Sequence, residues 1–162
     1  MKYLAGLIDS DGTVSFDFRN ASRNITSANL ALKVGIAAAS SVDRKGYIAG
    51  LPESIGHGSV SRTGDKGQYT YWFIQSRRDL EMMVTRLLKH MCVKAKHLER
   101  MFGKWRELRG ASISIEECDE LREFSKQSRY DAGPLKPKNH PSWSWTAGYL
   151  DGNGHYQFSL VN

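Results

Sequence analysis

Two carboxylates one residue apart, Asp9 and Asp11, close the string Leu4-Ala5-Gly6-Leu7-Ile8-Asp9-Ser10-Asp11-Gly12. Acidic oxygens on a turn suit a hard divalent cation such as Mg²⁺, which takes oxygen ligands and keeps several waters. A metal held there can activate a water and stabilise the leaving oxygen of a phosphodiester. By itself an Asp-x-Asp-Gly string is most often an ordinary turn between helix and strand. Here the whole string returns 142 positions later as Thr146-Ala147-Gly148-Tyr149-Leu150-Asp151-Gly152-Asn153-Gly154. Its flanks align too, Tyr3 with Trp145 and Phe16 with Phe158. The duplication implies two like helices and a paired site. The copies differ at one telling position, where Asn153 stands for Asp11.

The elements that must position these groups follow from the pattern. Tyr3 to Asp9 reads as a short helix, in which Gly6 costs about 1 kcal/mol relative to alanine and makes sense only where another backbone approaches. Gly12 is expected to end it in a left-handed turn. Carboxylates at a helix C-terminus meet its partial negative charge and call for a compensating cation or a solvated turn. Residues 13–19 alternate as a half-buried strand, with Val14, Phe16 and Phe18 on one face and Thr13, Ser15, Asp17 and Arg19 on the other. A polar loop is expected over 20–29 and a second strand over 30–36, with Lys33 and Gly35 on its open face. Residues 41–55 look helical but broken by Gly50 and Pro52. Residues 57–63 and 68–75 form a hairpin, Tyr69, Tyr71 and Phe73 sharing one face and Gln68, Thr70 and Trp72 the other. Helical periodicity runs over 77–109 with a break near Cys92-Val93, and Ser114-Ile115-Glu116-Glu117 is a capping box opening a helix to about Ser128. Residues 129–142, with Pro134, Pro137 and Pro141, read as an extended linker. Residues 143–162 then begin the first unit again, as a helix and a strand over 155–160.

The bulk numbers fit this organisation. The length of 162 residues fits one ordinary domain, or one domain plus a fragment, with 40% hydrophobic and 25% charged residues. Its formal charge of +6 favours polyanionic partners, since lysines and arginines placed on phosphates release condensed counterions. Cys92 and Cys118 match no metal-ligand spacing and are expected as reduced thiols. No apolar run is long enough to span a bilayer. A cytoplasmic or organellar-matrix setting, not a secreted one, is expected.

The nine-residue string resembles the signature of the LAGLIDADG family of homing endonucleases. The first copy matches at every position but Ser10, and the second at Ala147, Gly148, Asp151 and Gly154. The resemblance implies an α+β fold, the αββαββα order with a saddle-shaped antiparallel sheet, as one full domain over 1–128 and the first helix and strand of a second repeat. It implies a Mg²⁺-dependent DNA endonuclease acting on double-stranded DNA, with Asp11 and Asn153 at the metal position of each copy. It implies a basic residue supporting the active site after the fourth strand's helix, for which Lys94 is the best match and Lys96 the alternative. It implies outward strand residues reading the major groove: Asp17, Arg19, Lys33, Arg62 and Gln68, with Asn20 and Arg23 from the loop. Arginine and glutamine suit bidentate base contacts. The other half of the DNA saddle is expected from a second half-domain or a second copy. Asn153 removes one acid, so nicking, weak cutting or none is expected. Ala37-Ala38-Ala39 also lacks the polar residue, often glutamine, that the family places near the site. A second reading is therefore a catalytically inactive nucleic-acid-binding relative, such as an intron maturase or a regulator, and a third is the product of a decaying reading frame. Of the eight basic residues between Arg86 and Arg109, most are expected on a solvated helix face. Trp143 and Trp145 are expected to pack at the helix interface, and none of the five histidines carries ligand spacing.

Overall fold

The computed structural model describes the backbone of residues 1–22, 25–37, 42–63, 69–108, 111–131 and 141–153. Four antiparallel strands make one sheet, β1 (Gly12–Ser22), β2 (Ile25–Ala37), β3 (Ser59–Thr63) and β4 (Tyr69–Ile74), in the order β1-β2-β4-β3. Around them run α1 (Lys2–Asp11), α2 (Val42–Ile55), α3 (Arg77–Leu87), α4 (Ala95–Glu107), α5 (Ile115–Asp131) and α6 (Trp143–Asn153). The order is the expected αββαββα, with α4 and α5 added before the second motif helix.

Period-two alternation places Val14, Phe16, Trp72 and Ile74 on the face that the helices cover, and all four are buried. Ile48 and Leu51 of α2, Leu80, Val84 and Leu87 of α3, and Leu98 and Met101 of α4 complete that core. On the opposite face Thr13 is exposed, and Ser15, Asp17, Tyr71 and Phe73 are only half-buried. The alternation of 69–74 is therefore as expected, Trp72 facing in and Tyr71 and Phe73 out. Trp72 also anchors the entry to β3. Its Nε1–H donates to the His57 carbonyl at 3.0 Å, and its ring lies against Gly58. Gly58 has φ +88 and no room for a Cβ beside that ring, so only glycine serves there.

The β1–β2 hairpin is longer than the sequence suggests. Pairing runs from Gly12↔Val34 to Arg19↔Ser27 and resumes at Ser22↔Ile25 after an irregularity. Asn20 is thus strand, not loop, because backbone pairing to a neighbour stabilises a polar segment whose side-chain pattern shows no alternation. Helix α2 also corrects an expectation: it is continuous across Gly50 and Pro52. Pro52 lies in its last turn, where the lost donor affects one bond, and buried Ile48 and Leu51 hold the helix to the sheet. The stop is Gly56, at φ +76, whose N–H bonds back to the Pro52 carbonyl at 2.8 Å.

Other boundaries follow the signals read from sequence. Helices α3 and α4 are separated at 88–94, as the Cys92-Val93 break implies. The capping box is formed at α5: the Glu117 N–H donates to Ser114 Oγ at 3.2 Å, and the Ser114 N–H donates to Glu117 Oε2 at 2.6 Å. Helix α5 runs to Asp131, past the expected end at Ser128. Cys92 and Cys118 are buried and form no disulfide with each other. Among the described residues no helix is long and apolar enough to cross a membrane. The expected prolines at 134 and 137, the strand over 155–160 and the alanines at 38 and 39 lie outside the described residues.

Candidate active site

Helices α1 and α6 pack directly on each other, and the small residues of the duplicated string are what lets them. A Cβ added to Gly6 would overlap the Trp145 carbonyl oxygen and lie 2.8 Å from Tyr149 N. A Cβ added to Gly148 would overlap the Tyr3 carbonyl oxygen and lie 3.1 Å from Leu7 N. These are two equivalent contacts, one from each side, since Gly6 corresponds to Gly148 and Tyr3 to Trp145 in the repeat. Further along, a Cβ on Gly152 would overlap Ser10 Oγ. The contacts advance in step along both chains, so the helices are parallel. Their C-terminal ends, carrying Asp11 and Asn153, point the same way.

The reciprocity extends to side chains. Trp145 Nε1–H donates to Asp9 Oδ2 at 2.9 Å, and the Tyr3 hydroxyl donates to Asp151 Oδ2 at 2.6 Å. Each helix thus offers an aromatic donor to the first aspartate of the other, which is the pattern of a two-fold interface where each contact occurs twice. Trp145 is buried, stacked on Tyr149 at 4.9 Å between centroids. Trp143, expected to pack likewise, is 90% exposed, because it lies on the face of α6 turned away from α1.

The two aspartates of the first copy have separate roles. Asp9 is 2% exposed and accepts three hydrogen bonds: from Cys92 N at 2.6 Å, Lys94 N at 2.8 Å and Trp145 Nε1 at 2.9 Å. It is a buried strut that fixes the turn ahead of α4. Asp11 is exposed, and no hydrogen bond or ion pair engages its side chain among the described residues. It directly precedes β1, two residues before Thr13, the first residue of the open sheet face. Gly12 corrects another expectation. Its φ is −67 and ψ 146, extended rather than left-handed. Glycine is needed there for space, since a Cβ would come within 2.6 Å of Ile8 Cα and O.

Lys94 supplies the cation that this helix end requires. Its Nζ donates to the carbonyls of Ile8 at 3.0 Å, Ser10 at 2.8 Å and Gly12 at 2.8 Å. The Ile8 carbonyl also accepts from the Gly12 N–H, so the lysine adds a second donor there, and its charge sits on the negative end of the helix. Burial holds the lysine pKa below its ordinary value, against the opposing pull of Asp9 and Asp11. Lys96, the alternative, is exposed. The three carbonyl bonds make Lys94 the residue that shapes the tip carrying Asp11.

His97, given no role from sequence, is buried and straps α4 to its neighbours. Its Nδ1 lies 3.0 Å from Ser128 Oγ and its Nε2 3.3 Å from the Val14 carbonyl. Burial is the main cause that lowers its pKa. The unfolded chain then binds this proton more readily than the folded one, so stability is complete above the ordinary value of 6.5 and declines as pH falls below it. The melting temperature is expected to drop between pH 8 and pH 5.5, and to drop less in His97→Gln. Equal drops in the two proteins would contradict this. Histidine, Lys94 and Arg129 line a cavity of about 300 Å³ beside Gly12 and Thr13.

The residues expected to read DNA are distributed unevenly. Asp17 is half-buried and accepts from Gln75 Nε2 at 2.9 Å. Lys33 pairs with Thr13 on one side and Phe73 on the other, both of the open face. Arg19 and Asn20 lie in β1; their side chains, and that of Lys33, are outside the described set, as is the side chain of Asn153. Arg23 and Gln68 lie outside the described residues altogether. Arg62 is a correction. It pairs with Thr70, and so belongs to the face of Trp72 and Val60, not the outward one. It is exposed there because it lies near the end of β3.

Among the described residues no group of three or more His, Cys, Asp or Glu side chains is gathered as a metal cage. A Mg²⁺ ion needs none, since it is commonly bound by one or two carboxylates with waters completing its shell. The unengaged Asp11 carboxylate at the end of the paired helices fits such an ion.

An antiparallel sheet with one open face, backed by helices and joined to a parallel pair of motif helices, is the LAGLIDADG homing endonuclease fold. The solved structures agree. The chain is similar to the homing endonuclease I-CvuI, solved in complex with its target in the presence of calcium, at 14% identity and a TM-score of 0.57, covering 96% of this chain and 95% of that one. It is similar to the LAGLIDADG meganuclease I-AabMI bound to uncleaved DNA, at 15% identity and a TM-score of 0.62, covering 93% of this chain and 56% of that one. It is also similar to the homing endonuclease I-TnaI, at 13% identity and a TM-score of 0.53, covering 85% and 88%. No family model and no curated protein matches the sequence.

Proposed function

We propose that this chain is a site-specific DNA endonuclease of the homing type, hydrolysing phosphodiester bonds with a divalent metal, Mg²⁺ for preference. One observation carries the reading: two motif helices run parallel, and the exposed Asp11 ends the first of them directly ahead of β1, whose Thr13 lies on the open side of the sheet. The ion would be held by Asp11, with Asn153 at the matching place on α6, and supplies Lewis acidity and an activated water. The chain's own residues do the rest. Lys94 holds the end of α1 in shape, and the basic charge of +6 draws the duplex to the open face. Lys33 and Arg19 would contact bases or phosphates from that face.

Asn153 sets the outcome. It offers a neutral oxygen where Asp11 offers a charge, so the centre serves one strand better than the other and the product is a nick. Supercoiled plasmid carrying the cognate site, incubated with Mg²⁺, is expected to give relaxed circles. Asn153→Asp is expected to raise the share of linear product. Tight binding with neither relaxed nor linear product in either protein would instead support the inactive DNA-binding relative, which Asn153 already favours. The second half of the saddle would come from a further half-domain or a second copy.

A further inference from the structure

We propose that Trp145 is a positioning residue for the active centre of the first repeat, acting from the second repeat through Asp9. The path is continuous and buried at its centre. Trp145 Nε1–H holds Asp9 Oδ2 at 2.9 Å. The same carboxylate holds the backbone N–H groups of Cys92 and Lys94 at 2.6 and 2.8 Å. That fixes the backbone from which the Lys94 side chain reaches the carbonyls of Ile8, Ser10 and Gly12. Those carbonyls flank Asp11. Asp9 is 2% exposed, so a lost partner cannot be replaced by bulk water without opening the interface.

The mirror contact shows which part of the tryptophan matters. Tyr3, at the corresponding place in the first copy, makes the same kind of bond to Asp151 through a hydroxyl. Asp151 is exposed, whereas Asp9 is buried and also braces a turn. The two bonds are alike in geometry and unlike in consequence. Among the described residues, only the Trp145–Asp9 bond leads to Lys94 and the end of α1. A donor on an aromatic ring, not the indole as such, is what the position requires.

The kinetic arm of the test rests on the endonuclease reading above; the structural arm does not. Trp145→Phe removes the donor and keeps a ring. In the full chain, hydrogen exchange at the Cys92 and Lys94 amides is expected to quicken about tenfold, the scale of one hydrogen bond to a carboxylate. The nicking kcat is expected to fall by a similar factor while the DNA concentration for half-maximal rate stays constant. Tyr3→Phe is expected to leave both amides at wild-type protection. Trp145→Tyr restores a donor of the kind used in the mirror contact and is expected to recover both readouts. Unchanged exchange at Cys92 and Lys94 in Trp145→Phe overturns the assignment. If that variant does not fold, Trp145→Tyr decides: wild-type protection of the two amides supports the assignment, and lost protection overturns it. A chain with no nuclease activity in any variant, yet with the expected exchange pattern, would remove the endonuclease reading and leave the positioning contact standing.

Discussion

Asp11→Asn is expected to abolish strand cleavage, by about 10³-fold or more, while the fold and DNA affinity hold. In the proposed function Asp11 is the charged group offered to the ion, and a Lewis-acid contribution of several kcal/mol corresponds to about three powers of ten in rate. The fold is spared because Asp11 is exposed and its side chain engages nothing among the described residues. Stability should even rise slightly, since a negative charge leaves the negative end of α1. Asp9→Asn, only two residues away, behaves oppositely. It weakens the acceptor for three buried donors and is expected to cost stability before it costs anything else. Melting curves and plasmid relaxation measured on both variants separate a ligand from a strut. Full cleavage by Asp11→Asn would remove the metal centre from this location.

That division of labour between two neighbouring aspartates was hidden in the sequence, where they look alike. The string announced the helix, the turn and the carboxylates, and its recurrence announced a second helix against the first. Period-two alternation sorted Trp72 from Tyr71 and Phe73, because a strand with one covered face must alternate. What distinguishes Asp9 is a turn eighty-three residues away whose amides need an acceptor, and no local pattern encodes such a partner. Lys94 was legible as a basic residue near the site, but not as a donor to the carbonyls of Ile8, Ser10 and Gly12. The alignment of Tyr3 with Trp145 was visible, yet its meaning, an aromatic donor exchanged between helices, needed the parallel packing to be seen. Arg62 was misread for a simpler reason. Its face is fixed by the register with Thr70, and register depends on the turn between β3 and β4, not on β3 alone. The length of the first hairpin was missed because polar residues in strands carry no periodic signal.

Gly6→Ala is expected to destabilise the chain by about 3 kcal/mol, and Gly148→Ala by as much. In most helices the same change gains about 1 kcal/mol, because alanine loses less backbone entropy. Gly103, in α4, is such a place: a Cβ there meets nothing within 4 Å, and Gly103→Ala should stabilise. At Gly6 and Gly148 the added carbon overlaps a backbone carbonyl of the facing helix, which cannot rotate aside as a side chain can. The helices must separate, and separation breaks the Trp145–Asp9 and Tyr3–Asp151 bonds that span them. Because both glycines guard one interface, their effects should not add. Once one alanine has pushed α1 and α6 apart, the second finds room, and the double variant should lose less than the two singles together. Denaturant unfolding of the two singles, the double and Gly103→Ala measures all four energies. Additive losses at Gly6 and Gly148 would mean that the seam yields separately at each glycine, and that α1 and α6 do not move apart as a unit.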